Sequence, residues 1–137
     1  EGGARAFLMG PTPLSIVLCS NRLGGGGSDA ADEAEMEQVL LHELIHVFDV
    51  KQLKLDLRDC VNLAYSEIRA AKFAECHESY SWTQPLCVRL KAMQATHNLF
   101  PKHAESCVSQ AYPKAMQDLR PFHDKKSAGS SHGHSER

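Results

Sequence analysis

No apolar run in this chain is long enough to cross a bilayer, so the sequence offers no transmembrane helix. Excess charge of either sign is missing too. The net charge is −2, which removes the basic footprint that nucleic-acid binding needs, and no nucleic-acid partner is expected. The five cysteines, Cys19, Cys60, Cys76, Cys87 and Cys107, form no C-x-x-C pair, which argues against a cysteine-ligated zinc site. Gly24 to Gly27 are four consecutive glycines with no Lys-Ser/Thr after them, so they read as a mobile surface connection, not a phosphate cradle. The first residue, Glu1, is not Met, and no signal or transit segment follows, so the chain reads as a processed or truncated piece. No internal repeat is present.

What the sequence does contain is enough apolar material for one core, 42% hydrophobic residues in 137. Its most informative stretch is Met36 to Val50, MEQVLLHELIHVFDV, which holds His42-Glu43-Leu44-Ile45-His46. Histidines four apart on a helix stand one turn above each other, so both imidazoles can reach a single metal ion. Glu43 then lies beside the ion, where it can take a proton from an activated water. Stepping about 100° per residue places Leu40, Leu41, Leu44, Val47 and Phe48 on one arc. His42, Glu43, His46 and Asp49 fall largely on the other. The expectation is an apolar face toward a core and a polar face toward a cleft, against the alternative of two solvated histidines.

A third ligand decides between those readings. A second helical stretch is predicted from about Leu57 to His77, and on its wheel Glu67 lies within about 60° of Cys60, Leu63, Ala64, Ala70, Ala71 and Ala74. A carboxylate in the middle of a small, apolar stripe needs a cation or a metal. Arg58 and Arg69 point to the opposite side of the same wheel. Twenty residues separate His46 from Glu67, room for a turn and half a helix to return the carboxylate over the histidines, as in the gluzincin arrangement of two histidines and a later glutamate. Asp49, one turn beyond His46, is the rival ligand or else a group that orients one.

Elsewhere, Glu1 to Pro13 reads as a loop and Leu14 to Cys19 as a short strand. Asp29, Asp32, Glu33 and Glu35 bring negative charge to the start of the active helix, where its dipole favours it. Pro85 to Asn98 and Pro101 to Leu119 read as two more helices, the second interrupted or bent at Pro113. The fold class is therefore α+β and mostly helical, with a domain over 1–120 and a disordered tail over 121–137. His77, His97 and His103 read as surface or capping residues. The cysteines are either five thiols of a cytosolic protein or one or two disulfides with a thiol left over.

Three segments together carry a family resemblance: Ile16-Val17-Leu18-Cys19-Ser20-Asn21, His42 through Asp49, and Ser66-Glu67-Ile68-Arg69-Ala70-Ala71. With Cys76, Cys87-Val88-Arg89 and Cys107 in order, they resemble the mitochondrial inner-membrane metalloprotease family that processes subunit 6 of ATP synthase. The resemblance runs from about Gly2 to Phe122; Tyr65 departs from it, standing where some members have a cysteine.

The resemblance implies a zincin-like endopeptidase with Zn²⁺ on His42, His46 and Glu67, and Glu43 as general base. It also implies a polypeptide substrate, an ATP synthase membrane subunit, and a place in the intermembrane space in peripheral contact with the inner membrane. An assembly chaperone for that subunit, with hydrolysis secondary, is the alternative. Oxidised cysteines follow from the same resemblance. Cys60 and Cys76, about 24 Å apart on one predicted helix, cannot pair with each other, so at least one disulfide is expected to join Cys76, Cys87 or Cys107. In zincins a strand before the active helix commonly edges the cleft, which casts Leu14 to Cys19 as a docking edge for extended substrate. Tyr65, Tyr80 and His77 remain open as oxyanion-stabilising side chains.

Overall fold

The computed structural model describes residues 5–23 and 28–123. Strands β1 (Ala6–Met9) and β2 (Ser15–Leu18) lead into a 3-10 turn at Ser20–Arg22. Four helices follow: α1 (Asp29–Lys51), α2 (Cys60–Phe73), α3 (Gln84–Leu99) and α4 (Ala104–Gln117). This is the small, mostly helical α+β domain the sequence predicts. The glycine run at 24–27 and residues 124–137 of the expected tail lie outside the described residues.

β1 corrects one expectation, because it lies inside the stretch read as a loop. Ala6–Met9 contains no β-branched residue and is flanked by glycine and proline, so local propensity hides it. Pairing makes it a strand: it runs antiparallel to β2, with Phe7 opposite Val17 and Leu8 opposite Ile16. Gly10 keeps the turn tight, since a Cβ there would stand 2.9 Å from Leu14 Cδ1 and 3.3 Å from Leu14 Cα, so that Leu14 would have to shift. β1 also packs against α1 and so brings the sheet beside that helix.

α1 begins at Ser28, whose Oγ accepts the Ala31 N–H at 3.3 Å, with Asp29 and Asp32 favouring the positive end of the dipole. Its orientation overturns one half of the wheel-based reading, the apolar face toward the core. The buried residues are Val39, Glu43, Ile45, His46 and Asp49, whereas Leu44 is 52% exposed and Leu40, Leu41, Val47 and Phe48 are only half-buried. The polar arc faces inward, and part of the expected core face lines an open surface groove of about 840 Å³.

α2 explains this reversal. It packs against α1, α3 and α4, and Leu63, Ala64, Ser66, Ile68, Arg69, Ala70, Ala71 and Lys72 are all buried. Small residues let three helices approach one; Ala64, Ile68 and Ala71 join Val88, Ala92, Val108, Ala111 and Ala115 in the core. Asp59 caps α2 by accepting the Asn62 N–H at 3.0 Å. The helix ends at Phe73, four residues before the predicted His77, because the backbone leaves helical geometry at Ala74 (φ −104°, ψ −92°).

Two disulfides fasten the neighbours of α2. Cys60–Cys107 ties its first residue to α4, and Cys76–Cys87 ties the turn after it to α3, while Cys19 is a free thiol. The expected bridge among Cys76, Cys87 and Cys107 is therefore present, accompanied by one that recruits Cys60. α4 continues through Pro113 as one helix. Beyond it, the Phe122 ring lies 4.9 Å from that of Phe73.

Candidate metal centre

α1 and α2 bring His42, His46 and Glu67 together, with one ligand-capable atom from each within 4.8 Å of the others. The two Nε2 atoms are 3.0 Å apart; Glu67 Oε2 is 3.4 Å from that of His42, and Glu67 Oε1 is 3.5 Å from that of His46. A tetrahedral Zn²⁺ with bonds of about 2.0–2.1 Å spaces its ligands about 3.3–3.4 Å apart. The two Nε2 atoms stand slightly inside that edge, and each lies close to that distance from a different oxygen of Glu67. Two imidazoles and a carboxylate form a donor set suited to zinc, so the residues present fit the ion on both geometry and chemistry.

The other imidazole nitrogens are engaged, which leaves the two Nε2 atoms for the shared point. His46 Nδ1 is 2.7 Å from Ser66 Oγ, and Ser66 in turn donates to Asp49 Oδ2 at 2.8 Å. His42 Nδ1 is 2.7 Å from Glu75 Oε1, a close ionic contact at an angle unfavourable for a hydrogen bond.

Electrostatics separate the two histidines. Burial opposes charge on His42, but the neighbouring carboxylates of Glu67 and Glu75 outweigh it and raise its pKa to about 10. At His46 burial prevails over Glu67 and lowers the pKa to about 4. Burial would raise Glu67, yet His46 and His42 hold its carboxyl below the usual range; at Glu75, His42 does the same. The Glu43 carboxyl moves the other way, pushed up chiefly by burial. Glu43 lines a small cleft of about 140 Å³ with His42, Glu75, Val39, Arg5 and Ala6.

Ala6 begins β1 and Arg5 directly precedes it, so the strand bordering this cleft is β1, not the β2 strand that the sequence nominated as an edge. Asp49 is fully buried but turned away from the convergence point. Its carboxylate accepts Ser66 Oγ and lies 3.0 Å from both Nε and Nη2 of Arg69. Arg69 also reaches Asp118 at 3.0 Å and donates to the Arg120 carbonyl at 2.7 Å. The arginine that the wheel sent to an opposite, outer side is 0% exposed, since α2 has no solvent side there. None of the suggested oxyanion groups lines the cleft: Tyr65 donates its hydroxyl to Asp118, Tyr80 stacks on Trp82 in solvent, and His77 is exposed.

Sequence reasoning passed over Ser66 and Glu75. Ser66 adjoins Glu67 and is one turn from Leu63, a position where a buried hydroxyl requires a partner. Glu75 adjoins Cys76, and only its place beyond the helix break brings it to His42.

The Peptidase M76 family profile matches residues 5–123. The chain is 31% identical over 124 residues to the mitochondrial inner membrane protease ATP23 of Meyerozyma guilliermondii, covering 80% of this chain and 48% of that one. It is 31% identical over 126 residues to the protein of that name from Schizosaccharomyces pombe, covering 78% and 62%. With the Homo sapiens homolog it shares 30% identity over 135 residues, covering 85% and 52%. The chain thus spans about half the length of most of these relatives. No solved structure matches it.

Proposed function

The chain belongs to the peptidase M76 family, and from that premise we propose that it is a zinc-dependent endopeptidase with His42, His46 and Glu67 as metal ligands and Glu43 as general base. The observation that carries this reading is the convergence of two Nε2 atoms and one carboxylate beside a buried, cleft-lining Glu43. When bound there, Zn²⁺ supplies Lewis-acid polarisation of the scissile carbonyl and makes water more acidic. Glu43 accepts the proton of the attacking water and delivers it to the leaving amine. Ser66, itself held by Asp49, keeps His46 Nε2 aimed at the convergence point.

The relatives' names support placing this activity at the mitochondrial inner membrane. No described helix is long and apolar enough to cross a membrane, and we assign the chain to the intermembrane-space side in peripheral contact with the bilayer. Its substrate on this reading is a polypeptide, a membrane subunit of ATP synthase. The two disulfides agree with an oxidising compartment. The second reading, an assembly chaperone in which hydrolysis is secondary, draws support from the open apolar groove on α1 along Met36, Leu40, Leu41 and Leu44.

Glu43→Gln tests the first. It keeps the ligands and the side-chain shape, so bound zinc should persist while peptide cleavage falls roughly 10²–10⁴-fold. Metal content and cleavage measured on the same preparation check this. Loss of zinc together with cleavage would show that Glu43 has been given the wrong role, and undiminished cleavage would remove the general-base assignment.

A further inference from the structure

We infer that Glu75 is the positioning residue for His42, and that the Cys76–Cys87 disulfide fixes the turn that delivers it. This rests on the metal-site reading and adds to it a route by which covalent structure reaches the metal. Glu75 Oε1 lies 2.7 Å from His42 Nδ1, the nitrogen facing away from the convergence point. Its other oxygen, Oε2, is buried with no hydrogen-bond partner among the described residues, so the carboxylate has no competing engagement there. A carboxylate on the far nitrogen of a metal-ligating histidine sets the tautomer and ring orientation and increases the basicity of the ligating nitrogen. The two ligand histidines are thus oriented by different chemistry, His42 by a charged carboxylate and His46 by the hydroxyl of Ser66.

Glu75 is not placed by the regular part of α2. That helix stops at Phe73, and the chain turns at Ala74. The next residue after Glu75 is Cys76, which is 0% exposed and bonded to Cys87 on α3. The Cys76 N–H donates to the Ala71 carbonyl at 2.8 Å, and its own carbonyl accepts Gln84 Nε2 at 3.2 Å. The backbone immediately after Glu75 is therefore held from two helices. The other disulfide, Cys60–Cys107, acts at the opposite end of α2 and has no comparable link to His42.

The test is Zn²⁺ affinity, measured by chelator competition on the full chain with native disulfides. Glu75→Gln should weaken zinc binding roughly 10–100-fold, and Glu75→Asp should recover part of the loss. In NMR spectra the His42 ring signals should shift in Glu75→Gln while the His46 ring signals stay in place. Cys76→Ala/Cys87→Ala should weaken zinc in the same direction, and adding Glu75→Gln to it should cost less than Glu75→Gln costs alone. Cys60→Ala/Cys107→Ala should leave zinc affinity unchanged. Unchanged affinity in Glu75→Gln, or equal effects from the two disulfide pairs, would overturn the inference. Failure of the metal-site reading looks different: the parent chain itself would bind zinc no better than His42→Ala does.

Discussion

The two faces of α1 exchange the roles that their composition suggests. One carries Glu43, His46 and Asp49 and is buried; the other carries Leu40, Leu41 and Leu44 and borders an open groove. Apolar side chains gain about 25 cal/mol for each Å² removed from water, so burying the leucine face looks favourable in isolation. The polar face is buried instead because both histidines and Asp49 have partners on α2 or the turn after it. His46 has Ser66, His42 has Glu67 and Glu75, and Asp49 has both Ser66 and Arg69. What decides the orientation of such a helix is the pairing available on its neighbour, not the area of its apolar arc.

This comparison is most easily broken at Arg69. Its guanidinium lies between the buried carboxylates of Asp49 and Asp118, with the rings of Phe48, Tyr65 and Phe73 each 5.9 Å from its central carbon. Arg69→Met keeps much of the side chain's apolar stem but leaves Asp49 without its cation and Asp118 with Arg120 as its ion-pair partner. Breaking a buried ion pair by removing one partner costs about 3–5 kcal/mol. Chemical denaturation should therefore show a loss of that size for Arg69→Met. A loss under about 1 kcal/mol would mean that the polar face of α1 is not held inward by its charges.

A second comparison separates Glu67 from Asp49, two acids that the sequence left as rivals. Glu67 approaches both Nε2 atoms, whereas Asp49 reaches His46 only through Ser66. Removing a group that orients a ligand costs about 10–100-fold in metal affinity, and removing a ligand should cost more. Glu67→Ala is thus expected to lose more than about 100-fold in zinc affinity, and Asp49→Asn to stay within that range. The reverse order in chelator competition would exchange the two roles.

The legibility of these features follows from the range of the forces behind them. Spacing within one helix is local, so the sequence could bring His42 and His46 to one face and identify Glu67 as a carboxylate that needs a cation. The inward direction of that face was not legible, since it depends on Arg69, twenty residues beyond Asp49, being buried and available. β1 was missed for a similar reason: Ala6–Met9 has no strand signature apart from its partner β2. Cysteine pairing is likewise a property of the folded chain, where Cys60 and Cys107 come together across a sequence separation of 47. Glu75 needed the break at Ala74, which no proline or glycine marks.

The smallest effect gives the sharpest comparison, because Leu44 and Ile45 are sequence neighbours on opposite faces. Leu44 is 52% exposed and Ile45 is 1% exposed. Truncating a buried isoleucine to alanine removes apolar contacts and leaves a cavity, at about 2–5 kcal/mol. Truncating an exposed leucine within a helix removes little buried area, and alanine is the better helix former. Leu44→Ala should accordingly change stability by no more than about 0.5 kcal/mol while Ile45→Ala costs several times that. The wheel-based assignment of Leu44 to the core predicts instead that both truncations are costly. If Leu44→Ala costs about 2 kcal/mol, the leucine face is covered in solution, and repeating the measurement over a range of protein concentrations identifies the cover. A cost that grows with concentration points to a second copy of the chain, since only an association between chains depends on it. A constant cost would mean that the face is packed within one molecule and that the orientation of α1 described above is wrong.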